Sequence, residues 1–109
     1  MSYDEDAVLI TVIEVEKNNN GFPQEKTART EAFVGKKATN RTEAYKAMRE
    51  GKTVAVTLEM DVSEYEAAIK EVNGVRTEPK YAEYNGRTYR IMRTYEPRDE
   101  TMELILEEG

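Results

Sequence analysis

The pair Asn85-Gly86 stands between two stretches of extended character, Tyr81–Tyr84 and Arg87–Tyr95. Asn and Gly accept positive φ, so a turn there matches the twist of two antiparallel strands, and the segment reads as a β-hairpin. Along the second strand, Tyr89, Ile91 and Arg93 are expected on one face. Thr88, Arg90, Met92 and Thr94 are expected on the other. Pro97-Arg98-Asp99-Glu100 reads as a turn, and Thr101–Leu106 as a final strand before Glu107-Glu108-Gly109.

The earlier part of the chain follows the same logic. Residues 7–16 are rich in β-branched side chains and read as a strand. Lys17-Asn18-Asn19-Asn20-Gly21 is turn chemistry at the tip of a hairpin. Residues 26–37 return as its partner. Asn40 suits a helix N-cap and Glu43 completes a capping box, with Ala44, Ala47 and Met48 on one face and Gly51 at the end. These signals predict a short helix over about 40–50. Residues 53–60 alternate as a strand.

The stretch 61–80 reads in two ways. Val62, Tyr65, Ala68, Ile69 and Val72 have helical spacing, which gives a second helix over about 62–72 stopped by Asn73-Gly74. The alternative is a long irregular excursion. The expected fold is mainly β: a barrel or small sandwich of about six antiparallel strands, with one short central helix.

Size and composition narrow the function. The chain has 109 residues, enough for a single domain over 1–109, with 1–6 and 107–109 expected as flexible ends. It has no Cys and no His. Disulfides, thiol nucleophiles, the usual zinc sites and Ser-His-Asp triads are therefore excluded. The formal net charge is −6, from 16 Lys and Arg against 22 Asp and Glu. That balance argues against a protein that coats DNA through its phosphates. The acidic start Met1-Ser2-Tyr3-Asp4-Glu5-Asp6 lacks the basic residues of a signal peptide, and no apolar run is long enough to span a bilayer. A cytoplasmic product, with no membrane association, is expected.

Nothing in the pattern points to catalysis. Asp4, Glu5 and Asp6, and the group Asp99, Glu100 and Glu103, read as solvated charge rather than metal sites. Asp61-Val62-Ser63-Glu64-Tyr65-Glu66 lacks the spacing of an EF-hand loop, and no glycine-rich phosphate loop is present. No cofactor, metal or catalytic residue is assigned. Tyr81, Tyr84, Tyr89 and Tyr95 gather around one hairpin, as a half-buried sheet face or as a binding patch. Arg87, Arg90 and Arg93 read as solvent-side residues or partners in interface ion pairs.

The order of motifs carries a resemblance. Tyr84-Asn85-Gly86-Arg87-Thr88-Tyr89-Arg90-Ile91-Met92-Arg93-Thr94-Tyr95, followed by Met102-Glu103-Leu104-Ile105-Leu106, resembles the C-terminal half of the phage head–tail joining family. These are the head-closure, head-completion or stopper proteins of long-tailed phages. Asn40-Arg41-Thr42-Glu43-Ala44-Tyr45-Lys46-Ala47 with Gly51 is similar to the family's short helix. The opening strand, the Gly21 turn and Ala32-Phe33-Val34 fit in order, so the resemblance covers most of the chain. Residues 61–80 depart from it, being longer than the usual connection.

The resemblance implies a non-enzymatic structural virion protein of a phage or prophage. Its subunits would form a ring beneath the portal and adaptor, retain packaged DNA and offer the tail its attachment surface. The implied partners are further copies of the chain, the portal–adaptor complex and the tail-completion protein, with packaged DNA passing non-specifically. The implied location is the host cytoplasm during assembly and the head–tail junction afterwards. Tyr65 and Arg76 are the interface candidates, because they lie in the departing segment and are residue types enriched at hot spots. Two other readings stand beside this one: a tail-terminator ring protein, and a cytoplasmic acidic inhibitor of the antitoxin or DNA-mimic type.

Overall fold

A computed structural model describes residues 3–17, 21, 23–37, 48–49, 51 and 54–108. Six antiparallel strands close into a barrel in the order β1-β2-β3-β8-β7-β6. They are β1 (Glu5–Lys17), β2 (Pro23–Lys37), β3 (Val54–Asp61), β6 (Tyr81–Tyr84), β7 (Arg87–Arg98) and β8 (Thr101–Glu108). Between β3 and β6 the chain forms a one-and-a-half-turn helix, α1 (Val62–Ala67), and a small hairpin of β4 (Lys70–Val72) and β5 (Val75–Thr77). The mainly β architecture expected from the sequence is the observed one.

The barrel interior follows from strand alternation. Leu9 of β1, Val34 of β2, Leu58 and Met60 of β3, and Leu104 and Leu106 of β8 are fully buried and share one core. Ala7, Ala32 and Ala82 are small where β1 meets its two neighbours. Small residues there leave room for the Tyr84 and Tyr89 rings inside the same core. A six-stranded barrel is narrow, so side chains alone fill it. Tyr65 and Ala68, from the end of α1, join the core. The Thr11 hydroxyl fixes that helix end by donating to the Ala68 carbonyl at 2.5 Å.

Closure is uneven. β1 pairs with β2 from Glu5–Val34 out to Lys17–Pro23, but with β6 only from Ala7 to Ile10. β2 in turn meets β3 only through Gly35, Lys36 and Lys37. The outer halves of β1 and β2 therefore leave the barrel as a two-stranded ribbon, and the molecule measures 45 × 31 × 27 Å. Val15 on this ribbon is 62% exposed.

Four sequence expectations are corrected. The second helix does not run over 62–72. It ends at Ala67, and residues 70–77 form the β4–β5 hairpin, with Asn73 at φ +52° and Gly74 at φ +81°. Two consecutive positive φ values make a tight hairpin turn, so Asn73-Gly74 reverses a strand instead of stopping a helix. The turn at 97–100 shrinks to Asp99-Glu100, because β7 continues through Pro97 to Arg98. Pro97 lies in a bulge between the Tyr95–Glu103 and Arg98–Thr101 pairs, where no ladder N–H is required. A second bulge, between Ile91 and Arg93, flips the facing of β7. Arg93 thus leaves the face of Tyr89 and Ile91 and lies opposite Ile105, while Thr94 lies opposite Leu104. Finally, Glu5 and Asp6 are paired with Val34 and Phe33, and Glu107 and Glu108 with Arg90 and Tyr89. These four residues of the expected flexible ends are ladder residues, held by strands on neighbouring chain segments.

The helix expected over 40–50 falls mainly outside the described residues. Within it Met48 and Arg49 are helical, and the Gly51 N–H donates to the Met48 carbonyl at 3.1 Å. No helix among the described residues is long and apolar enough to cross a membrane.

Candidate functional site

The outer wall of β3 and β8 is the most unusual part of the surface. Outward-facing Thr57, Glu59, Thr101, Glu103, Ile105 and Glu107 are all buried. Glu59 and Glu103 lie directly opposite each other in the ladder, at 3% and 1% exposure. Like charges at that spacing repel, so the pair needs donors. Lys37 supplies a cation, with its Nζ 2.5 Å from Glu103 and 3.8 Å from Glu59. The Tyr95 hydroxyl donates to Glu103 Oε1 at 2.7 Å, and the Tyr3 hydroxyl to Glu59 Oε1 at 2.8 Å. The hydrogen bond to Glu103, aided by the charges of both carboxylates, raises the Lys37 pKa against a smaller desolvation effect.

This cluster joins four parts of the chain: the N-terminal Tyr3, the end of β2, β3 and β7–β8. Strand alternation places Lys37, Glu59, Tyr95 and Glu103 on the outer face, the ladder register sets Glu59 against Glu103 and Tyr95 against Glu103, and Tyr3 reaches Glu59 from the segment before β1. Its chemistry is that of a polar latch across the barrel wall. Tyr3 also packs close against Gly35: a Cβ at Gly35 would lie 3.2 Å from the Tyr3 ring. Gly35→Ala is therefore expected to displace Tyr3 and weaken its bond to Glu59, costing about 1 kcal/mol. The urea midpoint of this variant, compared with that of Tyr3→Phe and the double variant, checks this. The two changes should overlap rather than add.

The interface candidates have different fates. Tyr65 is 2% exposed and belongs to the core, with its hydroxyl donating to Glu78 Oε1 at 2.9 Å. Its ring offers no surface to a partner, because α1 turns that face inward; the interface role for Tyr65 is set aside. Burial, then the Glu78 hydrogen bond, raises its pKa well above the ordinary tyrosine value. Arg76 is exposed on β5, opposite Glu71, and borders an open depression with Ile69, Lys70 and Gly74.

The hairpin tyrosines separate likewise. Tyr84 and Tyr89 point into the core. Burial, then a hydrogen bond to Glu5 Oε1 at 2.8 Å, raises the Tyr84 pKa. Tyr81 and Tyr95 lie outside, each donating to a glutamate. Arg87 and Arg90 pair with Glu108 and Glu107 at 3.7 Å, so they serve the chain's own end.

These shifts set an alkaline limit on stability. Unfolded, a tyrosine loses its proton near pH 10 and a lysine slightly above. Folded, Tyr65, Tyr84 and Lys37 hold theirs to higher pH. Above about pH 10 the unfolded chain binds fewer protons than the folded one, so stability falls as pH rises. Urea midpoints are expected to stay level from pH 8 to about 9.5 and to drop beyond, less steeply in Tyr65→Phe.

The feature that residue-type reasoning missed is the open side of the β1–β2 ribbon. Its charged residues are paired across the sheet: Arg29 with Glu83 at 2.8 Å, Lys80 with Glu25 at 3.6 Å, and Lys26 with Glu14 at 3.5 Å. Alternation of Glu25, Thr27, Arg29 and Glu31 was the available signal. Among the described residues no group of three or more carboxylates converges as a metal site. Compared with protein-family models, the chain matches none. Compared with curated proteins, it also matches none.

Proposed function

We propose that the chain is a non-enzymatic head–tail connector subunit of the stopper type, acting in a ring beneath a phage portal and adaptor. The observation that carries this reading is architectural: a closed small barrel that holds the Tyr84-Asn85-Gly86 hairpin as β6–β7, beside the final strand β8, and sends out a long β1–β2 ribbon. The segments that carry the resemblance follow one another along the chain as β1, the Gly21 turn, β2, β3, the β6–β7 hairpin and β8. A fold alone does not specify a function, so the reading also rests on that sequence resemblance.

The physical roles divide naturally. The barrel, tied by the Glu59–Glu103–Lys37 latch, is the rigid body of the subunit. The ribbon, with exposed Val15, and the β4–β5 hairpin, with exposed Val75 and Arg76, are the parts that reach other chains. A ring of identical subunits uses head-to-tail contacts that close by rotation. With a net charge of −6, an acidic bore would let DNA slide rather than stick. The partners are further copies, the portal–adaptor complex and the tail-completion protein. The places of work are the host cytoplasm and then the head–tail junction.

Disrupting the gene in its phage or inducible prophage, then imaging the lysate, tests this. Separate tails of normal length beside heads that have lost their DNA are the expected result. Overlong or unfinished tails beside filled heads would make the chain a tail terminator. Normal particles would overturn the connector reading and favour an acidic inhibitor.

A further inference from the structure

Among the described residues, β2 carries an open edge with two clear limits. It is paired with β1 along its length and with β3 only from Gly35 to Lys37. At Phe33, the next position whose backbone points away from β1, the N–H donates to the Glu64 carboxylate at 3.2 Å. In an antiparallel strand, alternate residues point their backbone groups to the same side. Glu31, Arg29, Thr27 and Glu25 therefore direct theirs to that open side. The ribbon's bulge lies between Val12 and Glu14 on β1, so β2 keeps its alternation throughout. All four residues are exposed. Glu64 bounds the window at one end, and Pro23, which has no N–H, at the other.

An open edge of this kind recruits a strand. A second β2 related by a twofold axis would run antiparallel to the first, and outward-pointing residues must then face one another. Few registers satisfy this. An axis at Ala28 sets Glu25 against Glu31 twice. An axis at Arg29 brings two guanidiniums together. An axis at Thr30 needs the Phe33 N–H that Glu64 already holds. An axis at Thr27 sets Glu25 against Arg29 on both sides, with Thr27 against Thr27 at the centre. Directly opposed residues have Cβ atoms about 5 Å apart, within reach of both side chains. The existing ion pairs then extend into a row of alternating sign: Glu83, Arg29, Glu25 of the second copy, Lys80 of the second copy.

We propose that the β2 edge from Glu25 to Glu31 pairs with the same edge of a second copy about a twofold axis at Thr27. The contact is isologous and closes at two chains. It is distinct from the head-to-tail contact of a ring and does not depend on the connector reading. A short polar strand contact is weak, so a dissociation constant on the order of 100 μM is expected.

Sedimentation of the full chain between about 10 μM and 1 mM tests this, with circular dichroism showing that each variant is folded. The wild type should pass reversibly from monomer to dimer. Arg29→Glu alone, or Glu25→Arg alone, should weaken the dimer about tenfold, since each puts like charges opposite at two places. The double variant Glu25→Arg with Arg29→Glu should recover wild-type association. It reverses both internal ion pairs into like-charge contacts while restoring the intermolecular ones, so the recovery reports only the latter. A chain that stays monomeric at 1 mM, or a dimer indifferent to both single changes, would overturn the proposal. So would a double variant as weak as the singles.

Discussion

Replacing Tyr65 by alanine is expected to cost about 3–5 kcal/mol, the range for truncating a buried aromatic side chain. That is a large part of the stability of an ordinary small domain. The reason lies in the position of α1. The helix has only six residues and could not persist alone. Tyr65 and Ala68 anchor it in the core, and Val62 extends the ladder by donating its N–H to the Glu100 carbonyl at 2.9 Å. Without the ring, α1 loses its anchor and the Phe33 N–H loses Glu64. Tyr65→Phe keeps the ring and drops the hydroxyl's bonds to Glu78 and Thr94, at about 1 kcal/mol. Urea unfolding of both variants measures this. A Tyr65→Ala cost under about 1 kcal/mol would mean that the ring does not hold the core.

The second large effect is an asymmetry in the latch. Lys37→Met leaves two buried, directly opposed carboxylates without their shared cation, and is expected to cost about 2 kcal/mol. The figure is below that for a fully buried pair because the Lys37 side chain is 45% exposed. Glu103→Gln removes one of the repelling charges and keeps an acceptor for Tyr95. It should change stability by less than about 1 kcal/mol, in either direction. Equal costs for the two variants would show that the carboxylates do not repel and that Lys37 is no keystone.

Local chemistry made much of the barrel readable. β1 announced itself through Val8, Leu9, Ile10, Val12 and Ile13, and the β6–β7 hairpin through Asn85-Gly86. The misreadings have local causes too. Val62, Tyr65 and Ile69 keep helical spacing up to Val72, and nothing in that periodicity says that the helix stops at Ala67. The β4–β5 hairpin then relies on the same Asn-Gly signal that, after a helical periodicity, also suits a helix stop. The Ile91–Arg93 bulge inserts a residue without any Gly or Pro to mark it, so the face of Arg93 could not be foreseen. Tyr65 was a plausible anchor by type, but only the packing of α1 shows which way its ring turns. The latch and the open edge are products of topology. Glu59 and Glu103 lie far apart in sequence, and the freedom of β2 depends on where β3 stops pairing.

The proposed place at the head–tail junction can be checked by labelling the chain in purified virions. Antibody against an epitope tag on the chain, visualised by electron microscopy, is expected to mark the neck between head and tail in intact particles. Particles that carry no label, with the protein found wholly in the soluble lysate, would contradict the account.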